Sequence, residues 1–529
     1  MKRLIFAIVA ILTLGVASTA FAQIDPQQPI PADKAIRIGK LENGLTYYIR
    51  HNEKPKGMAN FYIVHDVGAI QEDDNQQGLA HFLEHMAFNG TKTYPGKTMI
   101  EYLEKIGVKF GANLNAFTSW DLTQYYMEDV PVARESVVDS TLMILHDWSH
   151  FINLEEKEID SERGVIKEEL RTRDNASWRS TIEMLKAVGK GTRYAERNLI
   201  GYLDGLQNFT YDDIRTFYDK WYRPDYQTVV VVGDIDVDKV EQKIKSMMAD
   251  IPAPAADAAK KDVIVVPDND EPIVSIFTDP EMQRSQLQIY YKSQAMPKQM
   301  NNTLAYEVKQ ILTSYISAMF NERLSDIARK PDAPFISGAF SPATSVGICP
   351  TLETTVGQVM TQDGKLMTGY KALLTEMERV RRYGFTEGEY ERAKNNMLSA
   401  LESQYNSRDD REHADFAERC INNFREGTPL YDAETEYQLD KQLAEAITLD
   451  AINQTVKQMY DPLKNAVIIV NSPAKDGVAV PTETELVEAL KAAVAAEIEP
   501  FKDNVVKVPL IENEAALKGS PVKKETLNE

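Results

Sequence analysis

The chain has 529 residues, of which 43% are hydrophobic and 26% are charged, and its formal net charge is −21. This length exceeds what one hydrophobic core holds and predicts a soluble globular protein of two to four domains. The acidic balance argues against a nucleic-acid-binding protein, because nucleic acids select for basic surfaces.

The N-terminus has the pattern of a secretory signal. Met1-Lys2-Arg3 forms the charged region, residues 4–16 form the apolar region, and Ala20-Phe21-Ala22 is a small-residue cleavage site. The apolar run is too short for a good membrane span, although an uncleaved anchor is the alternative interpretation. We therefore expect a signal peptide over residues 1–22 and a mature protein that is exported to a periplasm, with no membrane span after cleavage.

A strand hairpin is predicted first in the mature chain. Strand-like residues 36–38 and 45–49 flank Asn43-Gly44, a dipeptide that is typical of tight hairpin turns. Residues 60–64 predict a third strand. Apolar side chains at helical spacing then predict a helix over residues 79–86.

We expect this helix to begin and end at polar signals. Residues 73–75, Asp-Asp-Asn, are predicted to cap its N-terminus, and Asn89-Gly90 to end it. Because the rest of the helix is apolar, its polar side chains are expected to be partly buried.

The stretch His81-Phe82-Leu83-Glu84-His85 on this helix predicts a metal site. Residues i and i+4 lie one turn apart on the same face, so both imidazoles can reach one ion. Glu84 projects from a neighbouring stripe, close enough to orient and deprotonate a water on that ion. The alternative is a helix with two chance histidines, which the rarity of histidine here, seven in 529 residues, disfavours.

Three more elements are predicted before residue 152: a helix, a pair of strands and a longer helix, at residues 98–106, 114–130 and 134–151. The longer helix carries His146 and His150 at the same i, i+4 spacing, but neither has an adjacent glutamate. We interpret both as structural, and His65 as a core or solvated histidine.

The next helix, predicted over residues 154–173, presents four residues on one continuous stripe: Ile159, Glu162, Ile166 and Glu169. A carboxylate on a core-facing stripe is costly unless it is paired or binds a cation. Glu169 or Glu162 is therefore the natural third ligand for an ion held by the two histidines, while Glu168 points away. The alternative is a pair of salt bridges at the edge of the stripe.

An internal repeat predicts two domains of one architecture. Residues 210–232 and 448–470 share a Thr, Asp, Ile, Tyr-x-Pro and β-branched pattern at an interval of 238. We expect domains over residues 35–250 and 273–502, joined by a linker over residues 251–272 and followed by a polar tail over 503–529.

The second copy contributes one histidine, His413, and no metal motif, so the chemistry is assigned to the first domain. The chain has two cysteines, Cys349 and Cys420. They could pair in an oxidising compartment, but we interpret them as buried free thiols.

The chain resembles the pitrilysin/insulinase family of zinc peptidases, the inverzincins, and most closely their exported bacterial members. An ordered set of motifs carries the resemblance: residues 78–86, 115–118, 162–169, 222–224 and 229–234. The resemblance implies an α+β fold of two similar domains, each a mostly antiparallel sheet packed on helices. Together they would form half of a clamshell-like zinc endopeptidase for peptides or unfolded polypeptides.

The resemblance also implies roles for individual residues. These are His81, His85 and Glu169 as zinc ligands, Glu84 as general base, Glu162 as a glutamate supporting the ligands, and Asn115 as a residue that holds substrate or local structure. The spacing from His85 would favour Glu162 as the third ligand, whereas the local Glu-Arg…Glu pattern favours Glu169.

The chain departs from the family at the substrate-clamping Arg and Tyr, which lie seven residues apart. In the corresponding stretch, residues 323–338, Phe335 stands where the Tyr would be and Ala328 stands seven residues earlier. We expect a second pitrilysin-like half from a partner subunit, a self-dimer or further sequence. The alternative function is a non-catalytic or partner-dependent subunit of such a peptidase.

Overall fold

The computed structural model describes residues 27, 29–345, 347 and 349–503. The predicted signal peptide and all but the first residue of the predicted tail lie outside the described residues. None of the helices in the part of the chain that is described is both long and apolar enough to cross a membrane.

The first sheet has six strands in the order β1-β2-β6-β3-β5-β4. Its strands are β1 (Ile36–Lys40), β2 (Thr46–His51), β3 (Met58–His65), β4 (Leu114–Thr118), β5 (Thr123–Pro131) and β6 (Gln227–Gly233). As predicted, β1 and β2 pair antiparallel across Asn43-Gly44, where Gly44 has φ +102°.

The second sheet has five strands in the order β7-β11-β8-β10-β9. They are β7 (Ile273–Asp279), β8 (Ser285–Gln294), β9 (Ser337–Ser345), β10 (Leu352–Thr361) and β11 (Ala466–Pro473). In the first sheet β2 and β6 pair parallel, and the next three pairs across the sheet are antiparallel. In the second sheet β7 and β11 pair parallel, and the next three pairs are again antiparallel. Apart from the additional edge strand β1, the two sheets thus share one topology, and the predicted α+β fold is confirmed.

The helices before β7, in chain order, are α1 (Leu79–Met86), α2 (Thr98–Lys105), α3 (Glu135–His150), α4 (Glu156–Arg173), α5 (Ala176–Val188), α6 (Leu203–Asn208), α7 (Tyr211–Trp221) and α8 (Val237–Met247). Those after β8 are α9 (Leu304–Ala328), α10 (Leu366–Tyr383), α11 (Glu387–Asn406), α12 (His413–Glu426), α13 (Ala433–Ala446), α14 (Leu449–Gln458) and α15 (Glu483–Ala495).

The sequence repeat corresponds to a repeated helix and strand. Thr210 caps α7 and Thr448 caps α14, each accepting a hydrogen bond from a backbone N–H in the first turn. The strands that follow, β6 and β11, are buried along their whole length. The repeated residues therefore encode a helix start and a central strand in each half.

One core lies between the first sheet and its helices, and a second between the second sheet and its own. The opposite face of the first sheet is covered by α12, whose Ala417 and Cys420 pack with Tyr48 and Val230. The same helix begins at His413, whose Nε2 donates to the Pro55 carbonyl at 2.9 Å. The two halves are thus packed against each other.

Residues 323–338 correspond to the stretch that carries the family's substrate-clamping Arg and Tyr, and in this chain two of their side chains are buried in the second half. Arg323 is 2% exposed and pairs with the carboxylate of Glu389, and Phe335 is 3% exposed within the second core. Cys349 and Cys420 are both buried and free, as interpreted from the sequence.

Candidate metal centre

Gly78 immediately precedes helix α1 as its N-cap residue, and its φ of +93° is a left-handed conformation. A Cβ there would lie 2.5 Å from the carbonyl oxygen of Ile200. Since glycine offers no capping side chain, buried Glu72 supplies the acceptors: Oε2 accepts from Gly78 N–H at 3.0 Å and Oε1 from Ala80 N–H at 2.9 Å. Burial raises the pKa of Glu72 to about 8.

The expectation that residues 73–75 cap this helix was wrong. Asp73 caps a separate short turn, Asp74–Gln76, and Asp74 forms an ion pair with Arg197 at 2.8 Å. The chain turns sharply at Gly78 between that turn and α1, so the acceptor for α1 comes from Glu72, before the predicted caps.

Helix α4 packs against α1 and brings Glu169 to the two histidines. His81 Nε2 lies 3.6 Å from Glu169 Oε1, and His85 Nε2 lies 3.2 Å from Glu169 Oε2. The ligand atoms of these three residues all lie within 4.8 Å of one another. One ion can therefore contact all three side chains.

Glu162 lies on the other side of the His85 ring. Its Oε1 is 2.8 Å from His85 Nδ1, and its Oε2 accepts from Asn89 Nδ2 at 2.6 Å. When Nδ1–H donates to Glu162, the lone pair of His85 resides on Nε2, which faces Glu169. The two glutamates of the predicted stripe thus lie on opposite sides of one imidazole.

These contacts shift the pKa values of His85 and Glu169 in opposite directions. Burial lowers the pKa of His85, but the bonds to Glu162 and Glu169 raise it more, to about 9. Burial raises the pKa of Glu169, but its bonds with His81 and His85 lower it well below the usual value. Arg173, one turn further along α4, lies 2.7 Å from Glu169 Oε1. Glu169 therefore stays ionised, as a cation ligand must.

Glu84 is 8% exposed and lies on α1 between the two histidines in sequence. Its Oε2 accepts a hydrogen bond from Thr118 Oγ1 at 2.6 Å. Thr118 ends β4 and was not assigned a role from the sequence, although it closes the Asn115–Thr118 motif. One carboxylate oxygen of Glu84 is thereby fixed.

Asn115 lies on β4 three residues before Thr118. Its Oδ1 accepts from the Ala116 N–H at 2.9 Å. Because side chains alternate along a strand, Asn115 and Thr118 belong to opposite faces of β4. The role of Asn115 in holding substrate or local structure stays a prediction.

The remaining histidines near this part of the fold are structural, as interpreted. His65 is fully buried against Tyr125 and Tyr222, and burial lowers its pKa to about 3. His146 bridges two aspartates, and His150 Nδ1 bonds to the Tyr222 carbonyl at 2.9 Å. A second group, missed from the sequence, joins exposed His51 and Glu53 with Asp234.

The donor set of the first group fits zinc. Two imidazole nitrogens and one carboxylate, with a fourth position for water, form a common catalytic zinc shell. The ring hydrogen bond from His85 to Glu162 is the arrangement that orients a histidine ligand and raises its basicity. In the second group His51 and Glu53 are exposed, so that group lacks the burial of the first.

Two family models match the chain. The model described as insulinase, peptidase family M16, matches residues 47–201, which include the whole histidine–glutamate cluster. A second, described as the peptidase M16 inactive domain, matches residues 208–397. The three candidate metal ligands therefore all lie within the first match.

Several relatives and solved structures are similar to this chain. A probable zinc protease, PqqL of Escherichia coli, is 31% identical over 459 residues, covering 87% of this chain and 48% of the relative. The structure of the first half of that periplasmic protease covers 90% of this chain and all of its own, with 27% identity and a TM-score of 0.81. Pitrilysin, at 17% identity and a TM-score of 0.62, shares the fold over 90% of this chain and 51% of its own. The chain spans about half the length of the PqqL-type relatives it matches.

Proposed function

The chain belongs to the insulinase family of M16 peptidases, and on that premise we propose that it is a zinc-dependent endopeptidase. Its substrates are peptides or unfolded polypeptides outside the cytoplasm. The observation that carries the proposal is that the ligand atoms of His81, His85 and Glu169 lie within 4.8 Å of one another, with Glu84 on the same helix as the two histidines.

In this proposal His81, His85 and Glu169 hold the zinc ion, and Glu162 orients the ring of His85 from behind. Zinc, when bound, supplies a Lewis acid that lowers the pKa of a coordinated water and polarises the scissile carbonyl. Each ligand side chain lies on α1 or α4, two helices packed against each other, so the site is held by rigid elements.

Glu84 is the general base. The oxygen that Thr118 does not hold takes a proton from the attacking water, whose oxygen forms the new bond to the carbonyl carbon. Glu84 then gives that proton to the amide nitrogen as the carbon–nitrogen bond breaks. The products are a carboxylic acid and an amine, and Glu84 returns to its starting state.

A second pitrilysin-like half is part of the proposal. The chain spans about half the length of the PqqL-type relatives, and it covers 55% of the chain in the crystal structure of the periplasmic protease PqqL from Escherichia coli. Phe335 is 3% exposed within the second core and Ala328 stands where the Arg would be, so these two positions do not supply the clamp of the family. The partner is a second subunit, a copy of this chain or further sequence.

The competing function is a non-catalytic or partner-dependent subunit. It is favoured by the half-length match and by the description of the second family model as an inactive domain. Against it stand the three ligand residues and Glu84, which a scaffold does not need.

A quenched-peptide library separates these functions. We expect the purified chain to cleave peptides, a zinc chelator to abolish cleavage, and added zinc to restore it, because in the proposed mechanism the attacking water depends on zinc for its activation. Cleavage that appears only after a second half is added would identify a partner-dependent subunit. Cleavage that survives complete removal of zinc, as checked by elemental analysis, would refute the proposed mechanism.

Thr118→Val is expected to lower kcat without removing zinc. The substitution keeps the shape of the side chain but removes the hydrogen bond to Glu84, and a bond to a charged group contributes about 1.5–3 kcal/mol, or roughly tenfold to a hundredfold in rate. Steady-state kinetics on one library peptide, with zinc content in parallel, provide the measurement. Thr118→Ser restores the hydroxyl and should recover most of kcat; equal loss in both variants would remove Thr118 from this role.

A further inference from the structure

A line of polar side chains runs outward from the back of His85. His85 Nδ1 bonds to Glu162 Oε1 at 2.8 Å, and Glu162 Oε2 accepts from Asn89 Nδ2 at 2.6 Å. The other end of the same amide, Asn89 Oδ1, accepts from the ammonium group of Lys97. Four residues thus connect the ring of a candidate zinc ligand with a cation at the N-terminus of α2.

The two ends of this line determine which way the Asn89 amide points. Lys97 offers only donors, so it requires the amide oxygen. Ionised Glu162 offers only acceptors, so it requires the amide NH₂. The flipped amide would set oxygen against carboxylate and NH₂ against ammonium, and both contacts would be lost.

Burial makes the orientation of this amide matter. Asn89 is 5% exposed and Glu162 is 8% exposed, so water cannot readily replace the bond between them, whereas Lys97 is exposed and water can compete for its bond to Asn89. His81 has no comparable support, because its Nδ1 is buried without a hydrogen-bond partner among the described residues. Of the two candidate histidine ligands, only His85 therefore has its ring orientation fixed by a hydrogen bond at Nδ1 within the described part of the chain.

We propose that Asn89 and Lys97 are positioning residues that act through Glu162 to fix the His85 ring and so set the zinc affinity of the site. This inference rests on the proposed function insofar as His85 is a zinc ligand. The sequence predicted Asn89 only to end α1 and assigned no role to Lys97; their side-chain hydrogen bonds connect them with Glu162 and with each other. Lys97 orients the amide, the amide holds one oxygen of Glu162, and Glu162 holds His85 Nδ1–H with the other.

The test is the zinc dissociation constant, measured on the metal-free full chain by competition with a chelating dye. Loss of a group that supports a histidine ligand weakens metal binding by about tenfold to a hundredfold. We expect a loss of this size for Asn89→Ala and a smaller loss in the same direction for Lys97→Met. Lys97→Arg, which keeps a cationic donor, should retain most of the affinity. Lys105→Met, an exposed lysine on the same helix, is the matched control and should bind zinc like the unaltered chain.

Double-mutant cycles that combine Asn89→Ala or Lys97→Met with Glu162→Ala distinguish this role from a general effect on folding. If Asn89 and Lys97 act through Glu162, their substitutions should change zinc affinity little once Glu162 is gone. The visible absorption of Co²⁺ bound in place of zinc should shift in Asn89→Ala, because it reports ligand geometry. Thermal unfolding of the metal-free variants should stay near that of the unaltered chain.

Two results would overturn the inference: unchanged zinc affinity in Asn89→Ala, or losses that persist undiminished in the Glu162→Ala background. Since no peptide enters these measurements, they are independent of peptidase activity. A chain that shows the expected zinc affinities but cleaves no peptide would refute the proposed function and leave this inference standing.

Discussion

Glu84→Gln is expected to abolish peptide hydrolysis while leaving one zinc ion per chain. The glutamine amide can still accept the hydrogen bond from Thr118, so the local structure is kept. It cannot take a proton from water, and loss of a general base costs about 10²–10⁴-fold in rate. Steady-state kinetics on a library peptide and elemental analysis of the same preparation measure the two quantities.

Glu101→Gln is the matched control for this variant. Glu101 is an exposed glutamate on α2, and its neutralisation should leave kcat unchanged. Substantial hydrolysis by Glu84→Gln would remove Glu84 from the role of general base. Loss of zinc in that variant would instead assign Glu84 to metal binding.

Glu169→Gln is expected to weaken zinc binding more than Glu162→Gln does. Glu169 faces the Nε2 atoms of both histidines, whereas Glu162 contacts only the far side of His85. Glu162→Gln should cost about tenfold to a hundredfold, as for other residues that support a ligand. Glu169→Gln removes a ligand charge and should cost more than that.

Zinc titration of the two variants decides this order. Glu168→Gln is the control, because Glu168 is exposed, lies beside Glu169 and pairs with Arg171 at 2.6 Å. A larger loss in Glu162→Gln than in Glu169→Gln would exchange the two assignments. The spacing from His85 would then have been the better guide than the local Glu-Arg…Glu pattern.

The elements of the first half could be predicted closely because their signals are local. Helices expected over residues 98–106, 134–151 and 154–173 are found at Thr98–Lys105, Glu135–His150 and Glu156–Arg173. Apolar periodicity within a few turns defines such helices. The repeat likewise predicted two domains of one architecture, since each copy encodes its own capped helix and central strand.

The start of α1 could not be predicted because its cap depends on a turn. Polar residues 73–75 satisfied the usual pattern, yet the left-handed Gly78 redirected the chain and Glu72 took their place. Thr118 was missed for a similar reason. It lies 34 positions from Glu84, and only the pairing of β4 at the edge of the sheet brings the two together.

The sequence by itself determined that His81 and His85 share one helical face and that Glu162 and Glu169 share another, because both relations follow from helical geometry. Only the tertiary structure decided how the two faces meet: Glu169 faces the Nε2 atoms, and Glu162 lies behind the ring of His85. The reason is that the packing of α4 on α1 sets its rotation and height, and residues 77 positions apart carry no local signal of that packing.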